Sequence, residues 1–252
     1  MRFLAVLAAT LLIVPLAAVE SGFSRIQAQS SKTFEVVSIK PNKSGAAASE
    51  TDTTPGRLNL INVTPLSLLL RAFGVLTPQI VGAPAWLATE RYDVVASVPG
   101  GIVLTDQTRQ AFMEQMLIDR WQLRYHRETR NIPVYSLVTA AEGSKMVTHT
   151  GPGEYGMKVE LAGPRVILRS TRGNTQRLIE ILSGFAGRVV TNDTGLDGEY
   201  DFTLEWIQDP NATDSGPSLF TALREQLGLR LVSAEKPAPV IVVDRIERPS
   251  EN

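Results

Sequence analysis

The chain has 252 residues, of which 43% are hydrophobic and 20% charged, with a formal net charge of -1. That composition supports a packed core, and the scattered charges form no basic stripe, so nucleic-acid binding is not expected. The chain has no cysteine, which excludes disulfides, thiolate metal sites, a cysteine nucleophile and a lipid-modified cysteine anchor.

The first residues, "MRFLAVLAATLLIVPLAAVESGFSRIQAQS", place Arg2 before an apolar run from Phe3 to Val19 and a small, polar flank. This is the pattern of a secretory signal, with cleavage expected after Ala28. An uncleaved anchor is the other reading of this run, although it is short for a span and carries Pro15. No later segment is long and apolar enough to cross a bilayer. A periplasmic or secreted location is therefore expected.

"FEVVSIKPN" (Phe34 to Asn42) reads as a strand, and "KSGAAASETDTTPG" (Lys43 to Gly56) as a mobile loop. "RLNLINV" alternates as a half-buried strand does. "TPLSLLLRAFG" predicts a helix with Thr64 as N-cap, Pro65 at the first helical position and Gly74 as the stop. "RYDVVASV" predicts a strand. "TDQTRQAFMEQMLIDRW" predicts a helix with Phe112, Met113, Met116 and Leu117 on one side. "QLRYHRE" and "IPVYSLVTA" then read as two strands of a hairpin.

A glycine-rich stretch from Ala141 to Pro164 interrupts the pattern, which then begins again. "RVILRS" predicts a strand, "NTQRLIEILSGF" a helix capped by Asn174 or Thr175, and "EYDFTLEW" a strand. "PSLFTALREQLG" predicts a helix capped by Ser218, with Phe220, Leu223 and Leu227 inward and Gly228 at its end. "LRLVSAE" and "APVIVVDRIE" close as paired strands. Arg57 precedes Tyr92 by 35 residues and Arg165 precedes Tyr200 by 35; Leu123 precedes Pro133 by 10 and Leu229 precedes Pro239 by 10. We therefore expect an α+β fold of two tandem β-α-(β)-β-α-β-β repeats, each a small mixed sheet with two helices. The expected division is 1–28 signal, 29–56 N-terminal strand and loop, 57–140 first repeat, 141–164 linker, 165–248 second repeat and 249–252 tail.

Each half resembles the short N-terminal domain of secretins and TonB-dependent receptors, in which two short helices lean on a small mixed sheet. A more specific resemblance rests on "FEVVSIKPN", "VGAPAWLATERYDV", "MLIDRWQLRYHRETRNIPVYSLV", "TGLDGEYDFTLEW", "TALREQLGL" and terminal "ERPSEN". In that order, these stretches resemble the soil-associated envelope proteins of the DUF3738 family, which are abundant in Acidobacteria. The resemblance implies a periplasmic or secreted protein without an assigned reaction. Some relatives join this domain to a BlaR-type membrane metallopeptidase, which implies a sensory or binding role.

The candidate functional residues are few. "TGLDGEYDFTLEW" is flanked and filled by Asp193, Asp197, Glu199, Asp201 and Glu205. Their spacing does not fit a calcium loop. Asp197-Gly198 reads as a turn in which Gly accepts positive φ, and the paired Tyr92-Asp93 and Tyr200-Asp201 read as a structural motif with Tyr toward the core. His126 and Glu128 share a strand face. They offer a general-base pair, half of a metal site completed by His149 or an acid, or an exposed charge cluster with Arg127 or Arg130. "GPGEYG" neither follows a strand nor opens a helix, so it is not a dinucleotide fingerprint. Trp86, in a predicted loop, is the candidate aromatic platform for a sugar or peptide. No cofactor is expected. The leading expectation is a non-catalytic module binding an envelope protein, peptide or cell-wall fragment. The alternatives are an unrecognised hydrolase or metal-dependent enzyme, and an accessory domain for a BlaR-type peptidase.

Overall fold

The computed structural model describes residues 34–249 except 47, 55, 99–103 and 210–215. The expected signal segment lies outside the described residues. The elements are, in chain order, β1 (Val36–Pro41), β2 (Glu50–Thr54), β3 (Arg57–Val63), α1 (Pro65–Phe73), β4 (Ile80–Val81), α2 (Trp86–Thr89), β5 (Tyr92–Ser97), α3 (Asp106–Trp121) and β6 (Arg124–Thr139). They continue with β7 (Val147–Thr148), β8 (Gly156–Ala162), β9 (Arg165–Asn174), α4 (Thr175–Ala186), β10 (Val190–Asn192), β11 (Glu199–Ile207), α5 (Leu219–Ala222) and β12 (Leu229–Arg245). The fold is thus α+β. Among the described residues, no helix is long and apolar enough to cross a membrane.

The strands form three four-stranded sheets, ordered β1-β5-β3-β2, β10-β6-β12-β4 and β7-β11-β9-β8. The first and third have the same order when read along the chain. The middle sheet joins the halves reciprocally. Its centre is the long antiparallel pair β6–β12. β4 lies parallel to β12, and β10 lies parallel to β6, so each half lends a short strand to the long strand of the other.

Local chemistry sets the helix ends. Thr64 caps α1 by accepting from Ser67 N–H, and Asn174 caps α4 by accepting from Arg177 N–H. Gly74 and Gly187 end these helices in the left-handed conformation. α1 buries Pro65, Leu68, Leu69 and Ala72, and α4 buries Thr175, Leu178, Ile179 and Leu182, the same positions counted from the cap. Apolar residues behind the first sheet form one core with Trp121 at its centre, and those behind the third form another around Trp206. Ile132, Val134, Ala238 and Val240 fill the space on the middle sheet.

Five expectations are corrected. Residues 43–56 are not wholly loop, because β2 pairs with β3 there. The stretch from Ala141 to Pro164 carries β7 and β8, which pair with β11 and β9. The two expected hairpins do not form: residues 124–139 are one strand and residues 229–245 are one strand, paired with each other. Pro133, Pro237 and Pro239 lie inside these two strands, and all fall in one alternating set of the β6–β12 ladder. N–H groups of that set face outward, as Tyr135 N–H does when it donates to Val189 O, so the missing donor costs no ladder bond. The last helix is short and finishes as a π turn over Leu223–Leu227. Its Phe220 is exposed rather than inward, with its ring against Tyr135.

Candidate functional site

A cleft of about 610 Å³ opens at the end of the first sheet, where the segment after β1, the α2–β5 junction and the C-terminal tail meet. Its floor is fixed by Asp93. One oxygen of that carboxylate accepts the Asn42 side-chain amide at 2.7 Å and the Asn62 backbone N–H at 2.9 Å. Asn62 sits at φ 57°, where β3 departs from regular pairing with β5. Its side-chain amide donates to the carbonyls of Ala46 and Ala48, each at 2.7 Å, and so pins the segment after β1. Arg91 donates to the Asn62 carbonyl at 2.9 Å.

The opposite wall is made by the tail. Ile246 packs on the first core, and Glu247 N–H donates to Trp121 O at 2.7 Å. Arg248 then reaches back to Glu90 with Nε and Nη2 at 2.9 and 2.6 Å. Its guanidinium lies 4.9 Å over the Trp86 ring. Tyr92 donates to Glu90 at 2.9 Å. Burial, reinforced by this bond to a carboxylate, pushes the Tyr92 hydroxyl up to about 12. The Arg248 hydrogen bond holds the Glu90 carboxyl below its ordinary value. Lys43 and Arg91 also line the cleft. Lys43 forms no hydrogen bond or ion pair among the described residues.

A corresponding arrangement without the tail occurs at the end of the third sheet. His149 follows the strand partner of Tyr200 as Asn42 follows the partner of Tyr92. Its Nδ1 lies 2.8 Å from Asp201, which also accepts the Arg172 backbone N–H at 2.9 Å. Arg172 sits at φ 54° and donates to the Gly153 carbonyl at 2.6 Å. The Asp201 carboxyl is held below its ordinary value, first by the Arg172 N–H and then by His149.

Trp86 is not a loop-borne platform. It opens α2, packs half-buried on the first core, and carries Arg248 on its ring. Tyr92 and Tyr200 are buried, and their neighbours Asp93 and Asp201 hold left-handed Asn62 and Arg172, respectively. Gly198 does not supply the positive φ expected of it; Gly195 does, at 69°. A Cβ on Gly198 would stand 3.0 Å from the Tyr200 hydroxyl, so glycine there admits the tyrosine ring. Asp197 is exposed.

His126 and Glu128 do share a face of β6, with Nε2 and Oε2 3.8 Å apart. His126 Nδ1 lies 3.0 Å from Asp244 of β12, and Glu128 pairs with Arg130. The Asp244 hydrogen bond raises the His126 pKa. His149 belongs to the third sheet. Among the described residues, no three His, Cys, Asp or Glu side chains are grouped to hold a metal ion. The acids of the "TGLDGEYDFTLEW" region are also dispersed: Asp193 meets Lys236, Glu199 meets Arg172, Asp201 meets His149, and Glu205 meets Arg165.

Asn42, Asn62, Arg91 and Arg248 were not singled out by sequence. An Asn inside the apolar run "RLNLINV" was a usable signal, since Asn tolerates the left-handed region better than most residues. Fold and site together define an α+β protein with a cationic cleft sealed on one side by its own tail. The chain belongs to the family described as protein of unknown function (DUF3738), whose model matches residues 66–246. No curated protein and no solved structure matches the chain.

Proposed function

We propose that the protein is a non-catalytic binding module of the bacterial envelope, and that the tail cleft takes a carboxylate-bearing peptide or cell-wall fragment. The observation that carries this reading is the convergence of Lys43, Arg91 and Arg248 on one cleft whose single acidic lining residue, among the described residues, is Glu90. Arg248 is neutralised by Glu90, and Lys43 and Arg91 together outweigh the Asp93 carboxylate that lies beneath Asn42, which leaves net positive charge beside the Tyr92 and Asn42 side chains. Cationic groups in a concave site favour anionic ligands by charge and by charge-assisted hydrogen bonds. The expected signal segment supports an envelope location. The family resemblance, in which some members are joined to a membrane peptidase, supports ligand sensing as the use of such binding.

The test is a titration with soluble muropeptides and with short acidic peptides, followed by amide NMR shifts. Shifts at Lys43, Gly45 and Arg91 are expected, and Lys43→Glu with Arg91→Glu should abolish them. Binding that survives this double substitution, or the absence of any shift in the cleft, would overturn the reading.

A further inference from the structure

The strands β2 and β8 end the first and third sheets in the same way, and they differ in what they offer a further strand. β2, "ETDTT", is exposed throughout, carries Glu50 and Asp52 and has no large apolar side chain. Such an edge repels a copy of itself. β8, "GMKVELA", instead alternates. Met157 and Val159 pack against the second core, and Leu161 on the same side is 73% exposed. Lys158 and Glu160 lie on the other side, 3.1 Å apart. Tyr155, just before the strand, is 53% exposed.

The hydrogen-bonding direction of β8 follows from that of β11. The N–H and the carbonyl of Glu205 both bond to the Gln226 side chain, at 2.9 and 2.8 Å, so Glu205 faces away from β9. Its neighbours Leu204 and Trp206 therefore bond to Leu168 and Val166 of β9. Ile167 and Arg169 alternate with these and bond to Glu160 and Lys158. The N–H and carbonyl groups of Met157, Val159 and Leu161 are thus turned outward, with no strand beyond them among the described residues. The chain from Gln208 to Pro217 reaches at most about 32 Å, and its ends are tied to Pro164 and Ile207. A path between those ties around the outer edge of β8 is about 34 Å at the usual strand spacing, so that edge lies out of its reach.

We propose that β8 is a dimer interface, pairing antiparallel with β8 of a second copy about a two-fold axis at Val159. In this register Met157, Val159 and Leu161 face the copy's Leu161, Val159 and Met157, so every outward N–H and carbonyl of the three is paired. The same register sets Lys158 opposite the copy's Glu160, and the reverse, and covers exposed Leu161 with Met157. Tyr155 comes diagonal to the copy's Leu161. Moving the axis by one residue sets Lys158 on Lys158 or Glu160 on Glu160 and turns the outward groups away from each other. Arg169, 3.9 Å from Glu160, is the remaining charge beside these pairs.

The test is sedimentation of the whole protein between about 1 μM and 1 mM, where a monomer–dimer equilibrium is expected. Lys158→Glu and Glu160→Lys should each weaken dimerisation at least about tenfold, because like charges then stand opposite one another. An equimolar mixture of these two variants should dimerise as the wild type does, because the acids of one meet the lysines of the other. Val159→Pro removes an outward N–H and no bond to β9, so it should abolish the dimer while circular dichroism stays native. A protein that is monomeric at about 1 mM would overturn the proposal. So would a dimer that all three variants form as tightly as the wild type, or a mixture of the charge variants no tighter than either alone.

Discussion

Asp93 accepts the backbone N–H of Asn62 at 2.9 Å and so holds a non-glycine residue at φ 57°. That conformation costs about 1–2 kcal/mol in an L-residue, and a bond to a carboxylate at a buried N–H is of similar size. The arrangement sets the floor of the tail cleft, because the Asn62 side chain in turn holds Ala46 and Ala48.

Asp93→Ala should therefore leave a buried donor unpaired and lower stability by about 1–3 kcal/mol. In urea denaturation the midpoint should fall with an unchanged slope. A variant with the wild-type midpoint would show that the bond contributes nothing net.

Asp201 predicts a pH effect. Its carboxyl is held below the ordinary value by the Arg172 N–H and His149. A group whose folded pKa is depressed contributes stability that is complete above its unfolded value, about 3.9, and is lost as pH falls through the folded value. Wild-type protein should thus lose more stability than Asp201→Asn on going from about pH 5 to pH 3. Parallel acid limbs in thermal melts of the two proteins would contradict this.

The two helix caps at Gln122 and Gly228 predict opposite outcomes. Gln122 occupies φ 52° without being glycine, so Gln122→Gly should raise stability by up to about 1 kcal/mol. A Cβ on Gly228 would stand 2.1 Å from the Gly143 carbonyl oxygen. Gly228→Ala should then cost more than the roughly 1 kcal/mol of an ordinary left-handed glycine. Calorimetric Tm values of the pair check the contrast.

Much of this was legible locally. The caps Thr64 and Asn174, the apolar faces of α1 and α3 and the strand at Arg57 all follow from side-chain chemistry within a few residues. What escaped depended on distant partners. Pro133, Pro237 and Pro239 break a strand only if their N–H groups face the paired strand, and the sequence does not state the register. β2 is exposed throughout and has no apolar alternation to betray it. The link from Arg248 to Glu90 and Trp86 spans most of the chain, and neither end has a motif that names the other.

That link supplies the last prediction. Arg248→Ala should uncover the Trp86 ring and shift its fluorescence to the red, with little change in Tm because the ion pair is exposed. Tyr92 keeps its burial in this variant, so its hydroxyl should still titrate well above an ordinary tyrosine. Unchanged fluorescence would mean that Arg248 does not cover the ring in solution.

The exchange of β4 and β10 across the middle sheet has a consequence for biosynthesis. β6 gains its first strand neighbour only with residues 190–192, and its long partner only with Leu229–Arg245. A nascent chain stopped at residue 140 would present β6 with both edges open, and such unpaired edges invite association. Completion waits on contacts roughly a hundred residues apart, which makes folding slow relative to helical domains. A fragment containing either half alone is therefore expected to aggregate, and proteolytic loss of the final strand would undo both halves together.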